Sequence, residues 1–379
     1  MKNLYRAALA AAFGLTLSLS ATAAGAPKTF TQDDAKAIIG DLQRVVTPRG
    51  IDVRQQITLG GIQQWITVRG RDDSNPILLF IHGGPAAPEM PTSWTFQNDW
   101  EDFFTVVQWD QRGAGKTYLA NDPAKVGPTM TPDRMVEDAA ELVQYLRSTY
   151  HKDKIFVLGH SWGSYVGLRL AHEHPAGLYA YIGMGQIIDM REQERLDYEW
   201  TLAAAEAAHN VEAVKQLKAI EPYPDAQGQV TLDAIGTERN WNLYYGGLSY
   251  GRDSYDYYFH AGKLSPDYSD ADYKAIDQGS GFTLPALLPE LMRADFTKTT
   301  EFKCPIIIFN GRHDTTVSAV LAGNWFKTVH APVKKLVWFE NSAHMMQIEQ
   351  PGLVLMHLVD DVRPLAGGTS VPGSSVEMQ

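Results

Sequence analysis

Across residues 51–69 apolar and polar side chains alternate on either side of Gly60-Gly61, a period of two that predicts a β-hairpin with one face turned to a core. Beyond residue 75 the alternation stops. Residues 76–81, 104–109, 155–158, 179–184, 305–309 and 335–339 are short apolar runs closed off by turn residues, the pattern of strands covered on both faces. Between them, Met135, Val136, Ala139, Leu142, Val143 and Leu146 recur at helical spacing behind Thr131, a good N-cap residue, and Pro132, which suits the first helical position. A polar helical pattern also covers residues 31–46. Strands alternating with helices predict an α/β fold with a mostly parallel, doubly wound sheet. From about residue 186 to 300 the strand signals give way to helical stretches, notably 190–208, 211–220 and 232–244, and they resume at Pro305. An insertion of this kind is expected to form an all-helical cap over the carboxyl edge of the sheet.

The chain divides accordingly. Residues 25–50 form an N-terminal helical extension, 51–185 and 301–365 the α/β core, 186–300 the helical cap, and 366–379, rich in Gly, Ser and Pro, a tail expected to be disordered. Residues 1–24 read as a secretory signal peptide. Lys2 and Arg6 precede an apolar stretch over 7–19, and the small residues at 20–24 suit signal peptidase, with cleavage expected within Ala23-Ala24-Gly25-Ala26. The address implied is secreted or periplasmic, with no membrane association after cleavage.

With 379 residues, 44% hydrophobic and 20% charged, the chain can build a sizeable core, which excludes disordered and fibrous classes. A net charge of -11 without a long acidic block makes nucleic acid and anionic membranes poor partners. The single cysteine, Cys304, excludes an intramolecular disulfide, and its place beside Pro305 at the head of an apolar run fits a buried small hydrophobe.

The chemistry concentrates in Gly159-His160-Ser161-Trp162-Gly163, directly behind the apolar run 155–158 and ahead of a helical pattern. A G-x-S-x-G turn between strand and helix lifts the serine hydroxyl above the sheet, and its glycines avoid collisions that side chains would cause. Ser161 is thus the candidate nucleophile. It needs a base and a group to orient that base, expected in the order serine, acid, histidine on loops after later strands. Asp314, in the loop after 306–309, and His344, in the loop after 336–339, meet both conditions, with His313 and Glu340 as the nearest competitors. Oxyanion donors are expected from the backbone N–H of Trp162 and from the loop His82-Gly83-Gly84-Pro85, with Gly84 ahead of Gly83.

These motifs, together with Asp110-Gln111-Arg112-Gly113-Ala114-Gly115, resemble the α/β-hydrolase superfamily, and within it the prolyl iminopeptidase-like branch, peptidase family S33. The likeness covers about residues 50–185 and 300–365. It implies an α/β-hydrolase fold with Ser161 as nucleophile, Asp314 as orienting acid, His344 as base, and Gly84 with Trp162 as oxyanion hole. Two features depart from the family pattern. Ala86 stands where a glycine is usual, and the Trp-Glu cap segment that holds the substrate's amino group is missing. Glu192, Glu194 and Glu238 are candidate replacement carboxylates. The cap aromatics, Trp200, Trp241, Tyr244, Tyr245, Tyr250, Tyr255, Tyr257 and Tyr258, either line an apolar pocket or form ordinary core, with Trp241 and Tyr245 taken as substrate contacts.

Other motifs carry less. Gly113-Ala114-Gly115-Lys116-Thr117 lacks the earlier glycine of a phosphate loop, and His172-Glu173-His174 lacks a third metal ligand. No metal or cofactor is expected, and Asp110 and Arg112 are read as braces. The expected activity is that of an exported serine hydrolase acting on a peptide N-terminus, an amide or a small ester, most like a prolyl aminopeptidase. A carboxylesterase, an acyltransferase and a non-catalytic ligand-binding homologue remain the alternatives. The substrate is a small molecule or short peptide, and the sequence leaves the oligomeric state open.

Overall fold

The computed structural model describes residues 29–367; the leader and its cleavage site lie outside the described residues, as does the tail from residue 368 onward. Among the described residues, eight strands form one sheet in the order β1-β2-β4-β3-β5-β6-β7-β8. They are β1 (Ile51–Leu59), β2 (Ile62–Gly70), β3 (Ile77–Ile81), β4 (Thr105–Asp110), β5 (Ile155–His160), β6 (Leu178–Met184), β7 (Ile306–Gly311) and β8 (Lys334–Phe339). The hairpin β1–β2 and the β2–β4 pair are antiparallel. Every pairing from β4 to β8 is parallel. The fold is the mostly parallel α/β sheet that the alternation of elements predicts.

The hairpin closes with Leu59 opposite Ile62 across Gly60 and Gly61. Their φ values, +52° and +77°, are both in the left-handed region that a tight two-residue turn demands. The unbroken apolar runs also have a physical cause. In β3, Ile77, Leu79 and Ile81 enter the core on one face while Leu78 and Phe80 enter the core on the other, and β5 repeats this with Ile155 and Val157 against Phe156 and Leu158. A strand covered on both sides has no polar face to show.

The helices are α1 (Gln32–Leu42), α2 (Gly115–Leu119), α3 (Pro123–Val126), α4 (Pro132–Thr149), α5 (Trp162–Glu173), α6 (Met190–Ala207), α7 (Val211–Ala219), α8 (Leu232–Tyr244), α9 (Asp256–Lys263), α10 (Asp270–Leu291), α11 (Ala319–Thr328), α12 (Met346–Glu349) and α13 (Pro351–His357). Thr31 caps α1 in a reciprocal box with Asp34, and the helix stops at Leu42, short of the expected 46. Gln32 and Lys36 donate to the carbonyls of Lys263 (2.7 Å) and Tyr268 (3.2 Å), so α1 leans on the chain around α9 and α10. Helices α6 to α10 occupy the stretch between β6 and β7 without an intervening sheet strand. Among the described residues, no helix is long and apolar enough to cross a membrane.

Arg112 and Asp110 act as braces. The Arg112 guanidinium donates twice to the buried Asp138 carboxylate on α4, at 2.8 and 3.1 Å, and reaches the Gly60 carbonyl of the hairpin at 3.0 Å. Asp110 accepts from the Lys116 backbone at 2.8 Å and from the Tyr268 hydroxyl. Cys304 is buried, and burial pushes its thiol up to about 11, the behaviour of an inert core residue.

Backbones approach closely where β5 turns into α5. A Cβ at Gly163 would sit 1.9 Å from the Ile81 carbonyl oxygen, and one at Gly159 would sit 2.3 Å from the Gly163 carbonyl oxygen. Gly163→Ala therefore forces backbone apart. It is expected to cost about 1–3 kcal/mol and to lower the melting temperature by about 1–4 °C, as measured by thermal unfolding. Gly236→Ala, at an open helical position, serves as the control and should hold or raise the melting temperature.

Candidate active site

Ser161 joins β5 to α5 with φ 55° and ψ -122°, a conformation that non-glycine residues rarely adopt. The surroundings hold it there. Its backbone N–H donates to the Met184 carbonyl at 3.0 Å, and its carbonyl accepts from Ser164 N at 2.8 Å. A Cβ at Gly83 would lie 3.0 Å from the Ser161 Cβ, so only glycine lets the loop after β3 pass this close.

Asp314 follows β7 and His344 follows β8, and the structure brings the two together. His344 Nδ1 lies 2.8 Å from Asp314 Oδ2, both residues are buried, and Asp314 Oδ1 accepts from the backbone N–H groups of Thr316 (3.0 Å) and Val317 (2.8 Å). Those bonds fix the carboxylate, and the carboxylate fixes the imidazole tautomer. Ser161 and His344 then line one cavity of ≈ 880 Å³, with Gly83 and Gly84 on its wall. His313 and Glu340 do not reach it. His313 stacks on Tyr250 at 3.8 Å, and Glu340 pairs with Arg312 on the surface.

The loop after β3 is held by a chain of buried polar groups. His82 Nδ1 contacts the Gly83 carbonyl at 2.8 Å, and its Nε2 accepts from Gln111 N at 3.2 Å, so the ring is neutral with its proton on Nδ1. Burial pushes its pKa down to about 4, in keeping with that assignment. The Gln111 side chain donates to the His82 carbonyl at 2.8 Å and accepts from the Trp162 indole at 3.0 Å. Gly84 has φ +112°, and Trp162 opens α5, where backbone N–H groups have no partner within the helix. Ala86, at the position usually held by glycine, takes φ 60°.

None of the five residues expected near substrate, Glu192, Glu194, Glu238, Trp241 and Tyr245, is among those that line this cavity. On α8, Leu232, Ile235, Gly236 and Arg239 line the cavity at helical spacing, which turns Trp241 and Tyr245 to another face. Trp241 packs on Tyr244 and Tyr245 and donates to Gln216 at 2.9 Å. Tyr245 lines a separate cavity of ≈ 600 Å³ beside Asp197 and Asp314. Glu192 faces outward and is paired with Arg195 at 2.6 Å. Glu194 is fully buried and engaged by the Tyr223 hydroxyl and the Arg239 guanidinium. Glu238 is likewise taken by Arg239 and Thr201. Burial raises the pKa of Glu238 and of Asp197 nearby, with Arg239 working against the shift in each case. The aromatics divide between both earlier readings: Tyr255 and Tyr258 line the main cavity, and the Trp241 group packs on itself.

Sequence reasoning missed Glu89 and His160. Both are buried on the cavity wall, and the Glu89 carboxylate is hydrogen-bonded to His160 Nδ1. His160 was visible inside the serine motif itself; Glu89, in Pro88-Glu89-Met90-Pro91, has no periodic neighbours to mark it.

The comparisons with known proteins agree with this fold. A family model described as alpha/beta hydrolase fold matches residues 76–351. A probable aminopeptidase, YbaC, from Bacillus subtilis is 29% identical over 310 residues, 80% of this chain and 94% of that relative. A proline iminopeptidase from Arabidopsis thaliana is 28% identical over 171 residues, 45% of this chain and 41% of the relative. The crystal structure of a proline iminopeptidase from Mycobacterium smegmatis superimposes with a TM-score of 0.60 at 16% identity, covering 84% of this chain and all of that one, which speaks to the fold.

Glu349 links the His344 loop to residues 246–251. Its carboxylate accepts from Ala343 N at 3.0 Å and Tyr250 N at 2.5 Å, and burial pushes its pKa up to about 7; Asp110 is likewise pushed up to about 7 by burial. A carboxyl with a raised pKa in the folded state binds its proton more tightly than in the unfolded chain. Its stabilisation is complete below the unfolded value and is lost as pH rises through about 7. His82, depressed to about 4, acts oppositely, adding stability as pH rises from 4 to 6.5. The two carboxyls outweigh the one histidine, so the melting temperature is expected to fall as pH rises from about 4.5 to about 7 and to level off above that. Glu349→Gln, which imitates the protonated acid, should flatten that slope in parallel thermal scans.

Proposed function

The chain belongs to the α/β-hydrolase family, and on that premise we propose that it is an exported serine hydrolase that cleaves a peptide N-terminus or related amide, most like a prolyl aminopeptidase. The observation that carries this reading is the His344 Nδ1 to Asp314 Oδ2 contact of 2.8 Å beside a cavity that also contains the strained Ser161. Ser161 Oγ attacks the substrate carbonyl while His344 Nε2 takes its proton, and Asp314 holds the ring and balances the imidazolium. The backbone N–H groups of Gly84 and Trp162 receive the oxyanion. His344 returns the proton to the leaving amine, and water, activated by the same ring, releases the acyl group. Residues 186–300, with helices α6 to α10, serve as the cap, and its apolar cavity residues, including Ile235, Ile276, Leu284 and Phe259, favour an uncharged acyl portion.

Support for the peptidase assignment comes from the aminopeptidase name of the Bacillus relative, aligned over most of both chains. Export rests on the leader pattern in residues 2–24. Amino-terminal sequencing of the mature protein is expected to begin within residues 24–27; a start at Met1 refutes export by this route.

A fluorophosphonate should label the wild-type protein and leave Ser161→Ala unlabelled, with turnover falling at least about 10³-fold. Asp314→Asn should lose about 10³–10⁴-fold in kcat. Proline arylamide turned over faster than a short-chain nitrophenyl ester supports the aminopeptidase. The reverse order makes the protein a carboxylesterase, and acyl transfer to an added alcohol or amine in preference to water makes it an acyltransferase.

A further inference from the structure

Glu89 ties together the three segments that carry the proposed chemistry. It stands on the loop after β3, beyond Gly83 and Gly84. One of its oxygens meets Nδ1 of His160, the residue before Ser161, and the other accepts from Gln347 Nε2 on α12 at 2.9 Å. The opposite nitrogen of His160, Nε2, lies 3.0 Å from the backbone carbonyl of His344, and the two imidazole rings sit 4.7 Å apart at 35°. Glu89 and His160 are only 2% and 3% exposed, so water does not compete for these bonds.

The proton count follows from the partners. A carbonyl oxygen only accepts, so His160 Nε2 carries a hydrogen; Nδ1 then shares a further proton with the Glu89 carboxylate. Burial opposes charge on His160, yet the field and hydrogen bond of Glu89 outweigh it and the pKa is raised. The other groups facing this pair reinforce the assignment or leave it unopposed. Asp314 favours the imidazolium and His82 is neutral. The phenols of Tyr255 and Tyr258 are themselves kept protonated by burial beside Glu89.

We propose that Glu89 and His160 form a positioning pair for His344: a carboxylate–imidazolium unit that clamps the base's loop to the nucleophile's strand. This rests on the reading of Ser161 and His344 as nucleophile and base. The clamp acts on the base directly, since the carbonyl that His160 grips is His344's own.

The test follows the second-order rate of fluorophosphonate labelling in the full chain, with the melting temperature recorded for each variant. Glu89→Gln is expected to slow labelling about 10–100-fold, well beyond any fraction unfolded. His160→Gln keeps a donor for the His344 carbonyl and should lose less rate. Glu89→Asp retains the carboxylate and should return the rate toward wild type. Rate lost in both Gln variants only in proportion to unfolded protein, with no recovery in Glu89→Asp, overturns the positioning role while labelling at Ser161 preserves the hydrolase reading. Equal labelling of Ser161→Ala overturns that reading and the pair's role with it.

Discussion

The contact on which the molecule turns is the near-touch between the β5–α5 corner and the end of β3. Two backbones meet there with no room for a side chain, which is why residues 159 and 163 are glycines and why the serine between them is bent into a sparsely populated conformation. That strain persists only because the sheet over-determines it. β5 lies at the centre of the parallel region, between β3 and β6, and its side chains are locked into cores on both faces. Parallel strands all deliver their carboxyl ends to one edge, so loops after β3, β5, β7 and β8 converge whether or not they are close in sequence.

Convergence alone would leave a cluster of buried polar groups at high cost, and the structure answers by pairing almost all of them. His82 is neutral between a carbonyl acceptor and a backbone donor. Glu89 faces His160, Asp314 faces His344, and Arg112 is matched to Asp138. Loss of one partner from such a buried pair typically costs about 3–5 kcal/mol, because the survivor is left charged and dry. The site is therefore rigid in its electrostatics as well as its backbone. The Arg239 cluster on the opposite wall follows the same rule, drawing Glu194 and Glu238 inward around one guanidinium.

How much of this the sequence disclosed depended on how local each cause is. The apolar runs marked β3 to β8, and the alternation marked the β1–β2 hairpin, to within a residue or two, and the strand ends then pointed to Ser161, Asp314 and His344, because a residue just past a buried strand has only one edge to occupy. The helices between β6 and β7 gave no such anchor. Glu192 and Glu194 are two residues apart on α6, yet one faces solvent and the other is sealed in the interior. That difference belongs to the helix's rotation, which packing decides. On α8 the same rotation exposes Arg239 to the cavity and turns Trp241 away. Pro285 and Pro289 would ordinarily punctuate a helix, but α10 runs through both, held by the burial of Leu287, Leu288 and Leu291. Glu89 was illegible for a different reason: its partners lie 71 and 258 residues away.

The histidine loop follows β8, the last strand of the sheet, and this placement has a consequence for the life of the polypeptide. The imidazole that faces Asp314 comes after every one of the eight sheet strands, on the loop behind an edge strand. A chain cut before β8 keeps the whole serine motif in its sequence but has no imidazole at this place to draw the serine's proton away. On the proposed chemistry, such a fragment is silent.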